Sequence, residues 1–155
     1  MMLMLDLAPS EFILIGGVVP SGDFYEPTRT TEIVSFDTSS VKEGPMLPDL
    51  FYNHCSVSVG DTVYLIGGYE TREKVLAISL ADGSMNYMAP MQTYRGDHTC
   101  ATMEGPDGDT LIVVAGGNDG TFTKVTEIYS IATNSWKLGI QNVPLVECSK
   151  WANLL

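Results

Sequence analysis

The chain has 155 residues, 45% hydrophobic and 17% charged, which suits one folded domain rather than a disordered segment. Nineteen acidic residues against eight basic ones give a net charge of −11, and Lys and Arg never cluster. The footprint of a nucleic-acid binder is therefore missing, and an anionic membrane surface would repel the chain.

The start, Met1 to Ala8, is apolar but lacks the basic region and length of a signal peptide. The first patterned element is Phe12-Ile13-Leu14-Ile15, closed by Gly16-Gly17. The same form returns at Val63-Tyr64-Leu65-Ile66-Gly67-Gly68 and at Leu111-Ile112-Val113-Val114-Ala115-Gly116-Gly117. The runs are short and rich in β-branched and aromatic residues, so each predicts a buried strand. Gly17, Gly68 and Gly117 stand 51 and 49 residues apart, which makes this an internal repeat. After each pair come a loop and a second strand, at Glu32–Phe36, Val75–Leu80 and Glu127–Ile131. A polar turn follows, then a large apolar residue (Val41, Met85, Trp136), then a proline-bearing connection. A further strand, Cys55–Val59 or Thr99–Met103, leads to the next glycine pair. Each unit thus reads as four short strands, the form of one propeller blade. No apolar run approaches the ~20 residues of a membrane span.

The pattern resembles the kelch repeat: a glycine pair, then a Tyr, then a Trp seven residues later. The third unit carries it as Gly116-Gly117, Tyr129 and Trp136, and the second as Gly67-Gly68, Ile78 and Met85. The first places Phe36 in the Tyr position and Val41 in the Trp position, two residues too close. His54 and His98 stand where the family often has a His. The resemblance covers roughly residues 11–144 and implies an all-β fold, a kelch-type β-propeller fragment of about three four-stranded antiparallel blades. The repeats fall roughly at 11–47, 48–90 and 91–144, and 145–155 begins a further blade. The N- and C-terminal blades are expected to be incomplete: only ten residues precede Glu11, so the first unit lacks its innermost strand. At the other end Ser149-Lys150-Trp151-Ala152 stands where His54-Cys55-Ser56-Val57 does. Propellers close with ~4–8 blades, and open edges invite pairing. The chain is thus expected to be a truncated fragment of a longer chain, an isoform with blades missing, or half of a homodimer that pools six blades.

The glycine pairs Gly16-Gly17, Gly67-Gly68 and Gly116-Gly117 read as structural, because no helix follows them and no phosphate-loop motif is present. Trp136, Tyr129, Met85 and Phe36 follow the repeat and are expected in the core between blades. His54 and His98 are repeat-equivalent and are expected to satisfy buried backbone groups; a metal site wants three or four convergent ligands, and none is assigned. Cys55 and Cys100 are expected on innermost strands as small buried hydrophobes, and a bond between them would need Cα atoms within ~7 Å. Three cysteines without CxxC, and the absence of an Asn-x-Ser/Thr sequon, favour a reducing cytoplasmic setting. No nucleophile elbow occurs. Asp119-Gly120-Thr121 has part of a sialidase Asp box and reads as a turn. No enzyme activity and no cofactor are assigned.

The loops carry the functional expectation. In a kelch blade the loop after the glycine pair and the connection between blades emerge on one face, which the resemblance implies is the partner-gripping face. Here these segments are 18–31, 69–73 and 118–123, with 49–53 and 92–97. They hold Phe24, Tyr25, Arg29, Phe51, Tyr52, Tyr69, Arg72, Tyr94, Arg95, Asn118 and Phe122. Aromatic and Arg side chains are the usual hot-spot types, and Arg72 and Arg95 would attract a carboxylate in so acidic a chain. The 14-residue segment Val18–Thr31 is the candidate specificity loop. The reading is a non-catalytic protein-interaction scaffold with a protein partner. The alternatives are part of a propeller enzyme, such as a galactose-oxidase-like copper oxidase, and a fragment without independent function.

Overall fold

The computed structural model of the chain describes residues 3–8, 10–118 and 120–141. Asp119, Cys148 and the expected start of a further blade at 145–155 lie outside the described residues.

Among the described residues fourteen strands form in chain order: β1 Leu3–Ala8, β2 Glu11–Ile15, β3 Val18–Ser21, β4 Phe24–Pro27, β5 Thr31–Ser35, β6 Ser40–Glu43, β7 Cys55–Val59, β8 Thr62–Ile66, β9 Val75–Ser79, β10 Met85–Tyr87, β11 Thr99–Glu104, β12 Thr110–Ala115, β13 Val125–Ser130 and β14 Ser135–Gln141. They build three four-stranded antiparallel sheets, β1-β2-β5-β6, β7-β8-β9-β10 and β11-β12-β13-β14. The innermost strand β7 runs beside both β1 and β11, as in the blades of a propeller. The fold is all-β, an arc of three blades.

Three sequence expectations change. The first blade does have its innermost strand: Leu3–Ala8 pairs with β2 from Leu3↔Ile15 to Ala8↔Glu11. The repeat arithmetic missed it because the segment precedes the first glycine-pair strand by so few residues. The segment 18–31 is not an open loop. Val18–Ser21 and Phe24–Pro27 zip into a hairpin around a turn at Gly22, whose φ is +61°. Phe36 does not occupy the Tyr position of the first blade. There Val34 faces Phe12 on one side and Val41 on the other, as Tyr129 faces Ile112 and Trp136. Val34 and Val41 restore the seven-residue spacing, while Phe36 lies beyond the strand, 69% exposed and near Phe12.

Side chains alternate across each strand, so every blade has a leading face, turned to the blade before it, and a trailing face, turned to the blade after it. The leading residues are Phe12, Leu14, Glu32 and Val34 in blade one, Val63, Leu65, Leu76 and Ile78 in blade two, and Ile112, Val114, Glu127 and Tyr129 in blade three. One core joins the trailing Ile13 and Ile15 of blade one to the leading face of blade two. A second joins the trailing Val57, Tyr64, Ile66, Val75 and Ala77 of blade two to Ile112, Val114 and Tyr129 of blade three, with Trp136 against it. The half-buried Trp136 donates its indole N–H to the Ala89 carbonyl at 2.8 Å, and the buried Tyr129 donates its hydroxyl to Asn134 Oδ1 at 2.7 Å, so both aromatics satisfy their polar atoms. Between the innermost strands Cys55 and Cys100 form a disulfide, Cα atoms 6.0 Å apart. These two residues are therefore a covalent link between blades rather than separate hydrophobes.

Candidate functional site

The site is assembled by the glycine pairs. The second glycine of each of the first two pairs donates its N–H to the incoming connection: Gly17 to Phe51 O at 2.8 Å and Gly68 to Arg95 O at 3.0 Å. At Gly68 φ is +112°, and an added Cβ would lie 2.6 Å from the Tyr52 carbonyl. At Gly117 φ is +97°, and an added Cβ would lie 2.8 Å from both the Gly96 carbonyl and His98 Cβ. Only glycine allows this approach, and the approach draws the connections and post-glycine loops onto one face.

The loops then bond to one another. Tyr69 N–H donates to Tyr52 O at 3.3 Å, and Asp97 N–H to Asn53 O at 3.0 Å. Gly96 and Asn118 exchange both backbone hydrogen bonds, at 2.8 and 3.0 Å. Thr28 N–H donates to Gly17 O at 3.0 Å, which roots the β3–β4 hairpin on the same rim. Asp97 is a hub: its carboxylate accepts from the Tyr69 hydroxyl and from the Asn53 amide. The hydrogen bond to Asp97, with burial, pushes Tyr69 up to about 12, while burial and then Glu70 raise Tyr52. Both tyrosines therefore stay neutral donors at physiological pH. Their rings lie 6.0 Å apart. The Tyr94 hydroxyl donates to Tyr69 O at 3.3 Å, and the exposed Arg72 guanidinium stands 5.5 Å from the Tyr94 ring.

Tyr52, Tyr69, Tyr94 and Arg72 are thus brought together as one half-buried aromatic patch with a cation on it. Phe24 and Tyr25, 76% and 74% exposed, cap the hairpin, and Phe122 is 68% exposed on the third blade's loop. Arg29 is exposed at the foot of the hairpin, its Nη1 donating to Pro48 O at 3.5 Å. Asn118 spends its Oδ1 on the Gly120 N–H, at 2.8 Å, and shapes the loop.

Two residues expected on this face are not on it. Phe51 is completely buried, packed between blades one and two. Arg95 is also completely buried. Its Nη1 donates to Gly116 O and Val125 O, both at 2.9 Å, and its Nη2 to Glu127 Oε1 at 2.7 Å. Glu127 accepts in addition the N–H groups of Gln92 at 2.6 Å and Thr93 at 3.1 Å. Arg95 therefore clamps blade three to its connection and cannot meet a partner. The repeat itself contained the signal: Arg95 and Phe51 both stand three residues before a histidine of the pattern.

Those histidines, His54 and His98, are buried, one ring against the Phe51 backbone and the other against the Ile66 backbone. Burial lowers His54 to about 4, and burial together with the Arg95 charge and His54 lowers His98 to about 3, against the opposing pull of backbone hydrogen bonds to Phe51 and Ile66. Both are neutral at physiological pH. Each stands beneath a glycine pair, His54 beside Gly68 and His98 beside Gly67 and Gly117. Among the described residues no three His, Cys, Asp or Glu side chains lie together as a metal cluster would need, and no helix is long and apolar enough to cross a membrane.

Comparison with known proteins places this architecture. A family model for the Kelch motif matches residues 108–139, the second to fourth strands of the third blade. Mouse (Mus musculus) Kelch-like protein 40 is 33% identical over 110 residues, 67% of this chain and 17% of that protein. The Xenopus tropicalis Kelch-like protein 40 is 28% identical over 131 residues, 80% of this chain and 20% of that protein. The chain thus spans about a fifth or less of these relatives. A solved structure titled "Structure of YjhT" superposes with a TM-score of 0.77 over 93% of this chain and 52% of that one, at 10% identity, and shows the fold alone. Repeated blades, glycine-pair geometry, motif match and relatives agree: the chain belongs to the kelch-repeat β-propeller family.

Proposed function

We propose that the chain is a non-catalytic protein-interaction scaffold that grips a protein partner through its loop face. The observation that carries this reading is the patch of Tyr52, Tyr69, Tyr94 and Arg72 on loops whose backbones are tied together, with Phe24, Tyr25 and Phe122 exposed on the segments after the glycine pairs. Tyrosines held by hydrogen bonds lose little further freedom on binding, and exposed aromatics gain from burial. Arg72 supplies a planar donor in a chain of net charge −11, so the complementary partner segment carries a carboxylate beside apolar side chains. Arg95, being buried, is no part of this surface. The low basic content accords with a partner that is neither nucleic acid nor membrane.

The test is site-specific photo-cross-linking in cells, with the reactive group at Tyr25, Tyr52 or Phe122 on the loop face and at Asn86 on an outer strand. The reading expects one protein captured from the three loop sites and not from Asn86. Arg72→Ala should cut that yield several-fold at unchanged melting temperature. Equal capture from Asn86, or an undiminished yield with Arg72→Ala, would refute it.

A further inference from the structure

Among the described residues one covalent bond crosses between blades, from Cys55 to Cys100, and the first junction forms without one. In register Cys55 pairs with Ile66 and Cys100 with Val114. The corresponding positions at the first junction are Leu3, which pairs with Ile15, and Ser56, which pairs with Leu65. That junction is held by the Gly17 and Leu47 N–H groups and an apolar core. The bond is therefore surplus to the joining of two blades. What it does tie together is the two connections that carry the aromatic patch. Cys55 stands two residues after Asn53, and Cys100 three after Asp97. These residues meet directly: Asp97 N–H donates to Asn53 O at 3.0 Å, and the Asn53 side-chain amide donates to the Asp97 carboxylate, which also accepts from the Tyr69 hydroxyl. Both have positive φ, +53° and +52°, a backbone state uncommon for residues with a side chain and one that their surroundings must hold. Cys55 is buried, whereas Cys100 is half-buried and presents the sulfur that a thiol from solution can reach.

We infer that Cys55 and Cys100 form a reversible redox site whose bond holds the Asn53–Asp97 pair, and through it Tyr69 and the patch, in one arrangement. The exchange partner is glutathione. Starting from the two thiols, the Cys100 thiolate attacks glutathione disulfide; a Cys100–glutathione bond forms and one glutathione leaves as its thiolate. The Cys55 thiolate then attacks the Cys100 sulfur and expels the second glutathione. Two protein thiols become one disulfide, glutathione disulfide becomes two glutathione molecules, and the two thiol protons pass to the two departing thiolates. With the bond open, hydrogen bonds join the two connections, and a partner must order their loops as it binds. The reduced chain therefore grips more weakly. That last step rests on the loop-face reading above; the ordering of the patch does not.

Amide hydrogen exchange of the 155-residue chain, in buffers poised with glutathione and glutathione disulfide, reads the ordering. On reduction the Asp97 and Tyr69 amides should exchange at least about ten-fold faster, while the Thr28 amide, on the same rim at the first blade, changes less than about two-fold. No acceleration, or equal acceleration of all three, would overturn the inference, the latter because the bond would then support global stability alone. Coupling is reciprocal, so Asp97→Ala should shift the thiol–disulfide equilibrium toward the thiols by at least about five-fold. An unmoved equilibrium would overturn the inference from the other side. Photo-cross-linking from position 52 in oxidised and reduced lysate separates the two readings. Capture several-fold lower in the reduced state is expected, and equal capture in both would sink the control of binding. Absence of capture in either state would refute the loop-face reading, and the exchange rates would still decide the ordering.

Discussion

The two blade junctions share one backbone and differ in what fills it. At the first, Gly17 bonds Phe51 O, Leu47 N–H donates to Arg29 O, and His54 closes the turn. At the second, Gly68 bonds Arg95 O, Met91 N–H donates to Glu73 O, and His98 closes the turn. The buried residue between these anchors is Phe51 against a leading face that holds Leu76 in one case, and Arg95 against Glu127 in the other. Main-chain hydrogen bonds and positive-φ glycines therefore set the blade-to-blade geometry. The side-chain pair is interchangeable only as a pair, because an ion buried against Leu76 would be uncompensated and a Phe beside Glu127 would leave the carboxylate without its cation. The second junction also carries the Cys55–Cys100 bond, which the first lacks among the described residues.

The largest effects should come from breaking one member of each pair. Glu127→Ala strands the Arg95 charge and should cost about 3–5 kcal/mol in urea unfolding. Phe51→Ala opens a cavity at the other junction and should cost about 3–5 kcal/mol by the same measurement. Similar costs of different origin are the expectation; a negligible cost at either site would mean that the junction is held by its backbone alone.

Next in size is the link that distinguishes the junctions. Reduction by dithiothreitol, or Cys100→Ser, should lower stability by about 2–4 kcal/mol, following the entropy of the loop that the bond closes. Intact mass under non-reducing conditions should show the loss of two hydrogens relative to the reduced chain. Three free thiols in oxidised buffer, one for each of Cys55, Cys100 and Cys148, would remove this difference between the junctions.

The smallest effect concerns what the junctions have in common. His54 and His98 have folded-state pKa values of about 4 and about 3, below the usual 6.5. Between these values and 6.5 the folded protein binds fewer protons than the unfolded chain. Stability is thus complete above pH 6.5 and falls as the pH drops, by at most about 1.4 kcal/mol per pH unit for each histidine. Measured between pH 7 and 5, His98→Asn should remove about half of that slope, and an unchanged slope would mean that His98 is solvated.

Spacing made much of this fold legible, and composition misled where it overrode spacing. Three glycine pairs at a period near fifty located the second strand of every blade. In the first blade the aromatic Phe36 drew the alignment two residues too far, although Val34 and Val41 keep the seven-residue interval. Leu3–Ala8 belongs to a blade only through its pairing with β2, a contact that the repeat did not announce. By sequence alone Arg95 reads as a surface charge, because its loop is polar. Its partner Glu127 lies 32 residues away on β13, and only packing brings the two to 2.7 Å. The disulfide joins residues 45 apart and is equally invisible in one dimension. Spacing places Tyr52, Tyr69, Arg72 and Tyr94 on loops of one face, but the hub role of Asp97 is not legible, since nothing in the sequence separates it from the other acidic turn residues.

The most direct measurement is to transplant one junction into the other. Arg95→Phe with Glu127→Leu places the first junction's residue types at the second, and urea unfolding of the double variant reads the outcome. The account predicts that the double variant recovers most of the stability lost by Glu127→Ala, equalling or exceeding the parent chain, while Tyr52, Tyr69 and Tyr94 keep their environment by near-ultraviolet circular dichroism. A double variant as unstable as the single, or one that loses the tyrosine signal, would contradict the claim that the backbone ladder, and not the identity of the buried pair, displays the loop face.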